Sequence, residues 1–177
     1  MSQVLASPEL LRAKVAALHD ASFAWALLCC GRDASLAEEV LQNAYLKILD
    51  GRARFAGRSS FKTWLLALIR NTALDECRRT VRRQARFTVI EGGLEVTATE
   101  CAPDLNFAET QTRDSLREAL AALPERQREV LTLVFYHDLT LDDAAGVMGL
   151  APGTARTHYE RGKQALRKTL DRAEMLP

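Results

Sequence analysis

Residues 124–168, PERQREVLTLVFYHDLTLDDAAGVMGLAPGTARTHYERGKQALRK, decide how the rest of the chain is read. Thr140 with Asp143 three residues on is a helix start, Ala145 is small where two helices must approach, and Gly149 falls four residues later, where a tight turn is needed. Pro152 then suits a first helical position, because the N–H it lacks would have no partner there in any case. Ala155, Tyr159, Gly162, Leu166 and Leu170 recur at helical spacing and predict a buried face. Arg156, Thr157, Glu160, Arg161 and Gln164 fall on the opposite face, and the two arginines are long enough to reach phosphates or guanine edges. The pattern is that of a helix-turn-helix whose second helix reads DNA.

Working outward, the 177 residues are 47% hydrophobic and 27% charged, an ordinary globular balance with room for one or two small domains. The net charge of +1 conceals an uneven layout. Residues 1–84 hold 13 Lys/Arg against 8 Asp/Glu, residues 85–112 hold 1 against 5, and residues 113–177 hold 10 of each. Within the last segment, residues 152–177 carry 6 basic groups and 3 acidic ones, so positive charge is concentrated in two separate places, as a two-point nucleic-acid contact requires. No apolar run approaches the ~20 residues that span a bilayer, and MSQVLASPELLRAK lacks the apolar stretch of a signal peptide; a cytoplasmic protein with no membrane contact is expected. Cys29 and Cys30 are adjacent, while Cys77 and Cys101 stand apart, so no zinc-type spacing exists and reduced structural thiols are expected, with no metal and no cofactor. Three histidines and four cysteines assemble no nucleophile, base and orienter set, and no glycine-rich phosphate loop is present, which argues against an enzyme.

Ser7-Pro8-Glu9 starts a first helix whose stripe, Leu10, Leu11, Val15, Leu18, Ala21, Trp25 and Leu28, runs to Gly31. Ser35 with Glu38 predicts a capping box for a second helix, lined by Ala37, Val40, Leu41, Ala44 and Ile48 up to Gly51, with an acidic and polar outer face. Residues 51–60, GRARFAGRSS, are aperiodic, basic and aromatic, and read as a loop. A third helix is expected from about Phe61 to about Arg83, burying Phe61, Leu65, Leu68 and Thr72, with Trp64 also in the core and Arg78, Arg79, Arg82 and Arg83 at its far end. Periodicity fades over 85–112, which reads as an acidic linker; Phe87–Ile90 is the one stretch with β character. The expected fold is all-α, with a three-to-four-helix bundle (1–84), a flexible linker (85–112) and a helix-turn-helix domain (113–177) broken at Pro124 and resuming through Val130, Leu131, Val134 and Phe135.

The two halves together resemble a bacterial sigma factor of the sigma-70 family, in the extracytoplasmic-function (ECF) group that keeps only regions 2 and 4. LAEEVLQNAYLKIL (36–49) resembles region 2.2, and FKTWLLALIRNTALDECRR (61–79) resembles the helix of regions 2.3 and 2.4. From Leu123 through Leu166 the Leu-Pro-x-x-x-Arg start and the Pro-Gly-Thr opening of the recognition helix resemble region 4. The resemblance implies binding of core RNA polymerase, promoter DNA and an anti-sigma factor by a chain that is a monomer when free of them, and transcription initiation at selected promoters.

Residue by residue, it implies that Glu38, Glu39 and Gln42 meet arginines of the polymerase β′ clamp helices, with region 4 at the β flap. It assigns Arg54, Phe55, Arg58, Arg70 and Asn71 to the opened minus 10 strand, where stacking groups must stand beside cations, and Arg78, Arg79, Arg82 and Arg83 to nearby phosphates. Asp75 is expected to pair with Arg78 or Arg79. Thr154, Arg156, Thr157, Glu160 and Arg161 are assigned to the minus 35 element, and the acidic stretch from Glu91 to Glu109 to a path near the polymerase active-site channel. The chain departs from the family pattern at Leu36, where an Asp is common, at His158, where Arg is frequent, and at Ala151, which replaces a capping Ser or Thr. A stand-alone helix-turn-helix repressor, dimeric on a palindrome, would account for the second half but leaves the first without a role. A sigma mimic that only sequesters an anti-sigma factor would have no use for the arginines at 78, 79, 82, 83, 156 and 161.

Overall fold

The apolar stripe that reads as one long first helix is cut at Leu18. The computed structural model describes the backbone of residues 8–88 and 118–174 and the side chains of residues 9–82 and 118–170. In it α1 spans Pro8–Ala17 and α2 spans His19–Cys29. Leu18 leaves the helical region (φ −107°, ψ 8°), and its N–H bonds to Val15 O at 3.1 Å, one residue short of the α-helical partner. Neither proline nor glycine marks this break, and apolar residues continue on both sides, so the periodicity hides it. α3 covers Ala34–Leu49 and α4 covers Phe61–Thr88. The cap of α3 is also displaced from expectation: Asp33, not Ser35, accepts a hydrogen bond from Leu36 N at 3.0 Å.

α2, α3 and α4 close around Trp25, Ala37, Val40, Leu41, Ala44, Leu65, Leu66 and Ile69, all buried. Each fully buried valine, leucine or isoleucine here contributes about 1.5–3 kcal/mol. The Trp25 indole keeps its hydrogen bond inside, Nε1 donating to Leu66 O at 3.0 Å. Lys47 on α3 donates to Thr72 Oγ1 on α4 at 3.0 Å, and Ser60 caps α4 by accepting from Thr63 N at 3.0 Å. The buried stripe of α4 is Leu65, Leu66, Ile69, Thr72 and Ala73, while Phe61, Leu68 and Trp64 are only half-buried. Glu76 is its last buried residue among those described, and residues 77–82 are all exposed, so the end of α4 outruns the bundle. The helix continues to Thr88, which makes residues 85–88 helical and rules out β structure at Phe87 and Thr88; the remainder of the expected linker lies outside the described residues.

The chain divides into two compact units, Met1–Asp104 and Leu105–Pro177. In the second, residues 118–121 are helical, followed by α5 (Glu125–Phe135), α6 (Leu141–Met148) and α7 (Pro152–Glu174). Pro124 is the N-cap of α5, at the expected break. Thr140 Oγ1 accepts from Asp143 N at 3.1 Å, and Gly149 ends α6 in the left-handed region at φ 65°. Val130, Leu131, Leu133, Ala144, Ala145, Val147, Met148 and Ala155 form the core, whereas Phe135 is 62% exposed. Among the described residues every regular element is an α-helix, and no helix is long and apolar enough to cross a membrane.

Candidate nucleic-acid interface

The turn between α6 and α7 fixes which side of α7 meets solvent. Ala155 and Gly162 lie buried against the rest of the unit, and Tyr159 is half-buried, its ring stacked on Phe135 with centroids 6.0 Å apart. Thr154, Arg156, Thr157, Glu160, Arg161 and Gln164 are all exposed on the other side. Thr157 donates its hydroxyl hydrogen to Gly153 O at 3.0 Å, which leaves the oxygen to accept from an outside donor. Ala151 has no side chain with which to cap α7; its carbonyl accepts from Thr154 N at 3.0 Å and Ala155 N at 3.1 Å. Two cations within one turn and a half of an exposed helix face can engage phosphates or base edges of a major groove.

In the first unit, the outer face of α3 presents Glu38, Glu39 and Gln42 to solvent. Sequence reasoning did not find the cleft beside them. It measures about 440 Å³ and is lined by His19, Phe23, Glu38, Leu41, Gln42 and Tyr45. The feature depends on α2 lying next to α3, which no local pattern reports.

The loop after α3 is tied down at its start, where Ala53 N donates to Lys47 O at 2.8 Å and Arg52 pairs with Asp50 at 2.6 Å. Arg54 and Arg58 are exposed, Arg54 donating Nε–H to Gly51 O at 3.2 Å. Phe55 is half-buried in a surface cluster with Phe61 and Trp64, its ring centroid 5.5 Å from each. Trp64 therefore belongs to this cluster and not to the core, a correction to the sequence expectation; Trp25 is the core indole.

Asn71 is exposed, but Arg70 is only 4% exposed. Successive helical residues are turned by about 100°, and Arg70 follows Leu66 by four and precedes Ala73 by three, which sets it on the buried stripe. The expected DNA-facing set thus splits, with Asn71 on the surface and Arg70 inside. Arg78 and Arg79 are exposed and lie near acids one turn back, Asp75 at 3.7 Å and Glu76 at 2.7 Å. Arg82 is exposed; Arg83 lies on α4, but its side chain is outside the described residues.

Comparison with known proteins puts these surfaces in a family. The sigma-70 region 2 model matches residues 16–83, and the sigma-70 region 4 model matches residues 113–166. The chain is 30% identical to the ECF RNA polymerase sigma factor SigX of Bacillus subtilis over 145 residues, which are 79% of this chain and 73% of the relative. It is 32% identical to the RNA polymerase sigma-H factor of Pseudomonas aeruginosa over 146 residues, 78% of this chain and 75% of that one. Among solved structures, the fold is similar to the sigma factor RpoE of Bartonella quintana, solved with the anti-sigma factor NepR, at a TM-score of 0.69 and 22% identity, covering 91% of this chain and 96% of that one. CnrH, solved with the cytosolic domain of CnrY, is similar at a TM-score of 0.59 and 19% identity, covering 94% of this chain and 90% of that one. With both regions matched in order and relatives at this identity, the chain belongs to the sigma-70 family as an ECF RNA polymerase sigma factor, a regulatory protein of promoter-specific transcription initiation.

Proposed function

We propose a division of this task among three surfaces. The acidic face of α3, with Glu38, Glu39 and Gln42, docks arginines of the polymerase β′ clamp helices, and region 4 meets the β flap. α7 enters the major groove of the minus 35 element through Thr154, Arg156, Thr157, Glu160 and Arg161. The loop carrying Arg54, Phe55 and Arg58, with Asn71, holds the opened minus 10 strand, while Arg78, Arg79, Arg82 and Arg83 neutralise nearby phosphates. Arg70, buried beneath that surface, serves as a support for it and not as a contact.

The observation that carries this reading is the two-sidedness of α7, where Ala155 and Gly162 are buried and six polar or charged residues from 156 to 164 are exposed. On α3, too, Glu38, Glu39 and Gln42 are exposed while Val40 and Leu41 are buried. An anti-sigma factor would cover the α3 face and fill the cleft beside Glu38 with apolar side chains; the similar folds of RpoE and CnrH were solved with such partners or a partner domain. The working site is the cytoplasm, where polymerase and promoters are.

The test is run-off transcription with purified core polymerase and a genomic DNA library. Glu38→Arg/Glu39→Arg is expected to lose core binding. Arg156→Ala/Arg161→Ala is expected to keep it and lose promoter choice, because a guanine contact contributes ~1–3 kcal/mol of discrimination. Wild-type behaviour of both variants would overturn the assignments, as would tight polymerase-free binding to an inverted repeat by a dimer.

A further inference from the structure

Lys14, on α1, places its ammonium 5.7 Å from the centroid of the Phe61 ring, at the first residue of α4. Phe61 in turn lies 5.5 Å from Phe55 in an edge-to-face arrangement at 80°, and 5.4 Å from Trp64. Trp64 closes the set at 5.5 Å from Phe55. Four side chains from three parts of the chain, α1, the loop and α4, thus form one continuous cluster. No motif connects residue 14 to residue 55, and Lys14 is exposed, so it fills no gap in the core.

Phe55 stands on a short loop bracketed by Gly51 and Gly57, both with positive φ, of 70° and 71°. A lone aromatic ring on such a segment would sample many orientations, and a base that stacked on it would have to order it first. Two flanking rings, one of them held by a cation, remove that cost in advance. Edge-to-face geometry brings the positive rim of one ring to the negative face of the next, and an ammonium over a ring face adds to the same attraction.

We propose that Lys14, Phe61 and Trp64 are positioning residues that hold Phe55 in the orientation in which it receives an unpaired base, so that α1 takes part in strand capture without touching the base. The inference rests on the role proposed for the 54–58 loop in holding the opened strand. Lys14 is the informative position, since its exposure allows substitution without disturbing the fold, and its effect must pass through Phe61 to reach Phe55.

The experiment uses holoenzyme and fork templates built on a promoter recovered in the run-off assay, with each unpaired minus 10 nucleotide made abasic in turn. The readout is the ratio of affinities for the base-containing and abasic templates. In the wild type one position should show a large ratio, roughly five- to hundred-fold for a stacked base. Phe55→Ala should collapse that ratio to about one. Lys14→Ala should lower it by roughly two- to five-fold with abasic affinity unchanged, and Lys14→Arg should restore it. Trp64→Phe should give an intermediate ratio. An unchanged ratio in Lys14→Ala overturns the proposal while leaving the loop's role intact. Equal loss on base and abasic templates also overturns it, because that marks a simple phosphate contact. An unchanged ratio in Phe55→Ala overturns the role of the loop itself, and the proposal with it.

Discussion

Gly162 faces α5 so closely that a β-carbon there would stand 3.0 Å from Leu131 Cδ1 and 3.1 Å from Gln127 Cβ. Gly162→Val is therefore expected to destabilise the second unit by about 1–3 kcal/mol, more than the ~0.5 kcal/mol gained by removing a mid-helix glycine. Gly146, inside α6, would meet nothing within 4 Å, and Gly146→Ala should stabilise by about 0.5–1 kcal/mol. Thermal unfolding followed by circular dichroism separates the two signs; a stabilised Gly162→Val would mean that α5 and α7 can part at little cost. Cys30 offers a test by pH. Burial first, then the neighbouring Cys77 and Asp33, push its thiol from 9.0 up to about 12. A folded-state pKa above the unfolded one means that the native state holds the proton more tightly, so this contribution is complete below pH 9 and is lost as pH rises toward 12. Urea midpoints of wild type and Cys30→Ala, measured at about pH 8 and about pH 10.5, should converge at the higher value; parallel lines would deny the thiol its role.

Among elements, the two helices of the helix-turn-helix differ in how they begin. α6 has the Thr140 cap, with its hydroxyl also donating to Asp143 Oδ2 at 2.7 Å, whereas α7 starts at Ala151 with backbone acceptors only. Thr140→Ala should cost about 1 kcal/mol, and Ala151→Ser should add up to about that much. A midpoint shift from Ala151→Ser that matched Thr140→Ala in sign would show that the end of α7 is held by other contacts. These starts were legible in sequence because a cap, a left-handed glycine and a first-turn proline each leave a residue-level mark. Asp33 and Ser35 both satisfy the capping rule, and only the path of the chain through Gly31 and Arg32, at φ 62° and 70°, selects Asp33. The break at Leu18 leaves no mark at all. In the candidate site, exposure on α7 followed from periodicity, and so did the burial of Arg70, which stands four residues after Leu66 and three before Ala73. The assignment of Arg70 to DNA came from its charge and from the family resemblance, which carry no information about which face of α4 it occupies. The cluster of Lys14, Phe55, Phe61 and Trp64 depends on contacts between elements far apart in sequence and was legible only in part.

At the scale of the whole molecule, the chain is two units with separate cores, and the proposed function has both meet one DNA. In the proposed function the α7 arginines act on duplex and the loop after α3 acts on a strand that must first be unpaired, so substitutions in the two places should remove free energy from different steps. Arg156→Ala/Arg161→Ala should weaken the closed complex and reduce the slope of log affinity against log salt by about one for each phosphate that is no longer neutralised. Arg54→Ala/Arg58→Ala should leave that first step near wild type and lower the open fraction, read from 2-aminopurine fluorescence in the minus 10 segment. Because the two groups stand on separate units and are assigned to different steps, the losses in the quadruple variant should add to within about 0.5 kcal/mol. A coupling of about 1 kcal/mol or more would place both sets on one step, and the chain would then grip its promoter as a single surface and not as two.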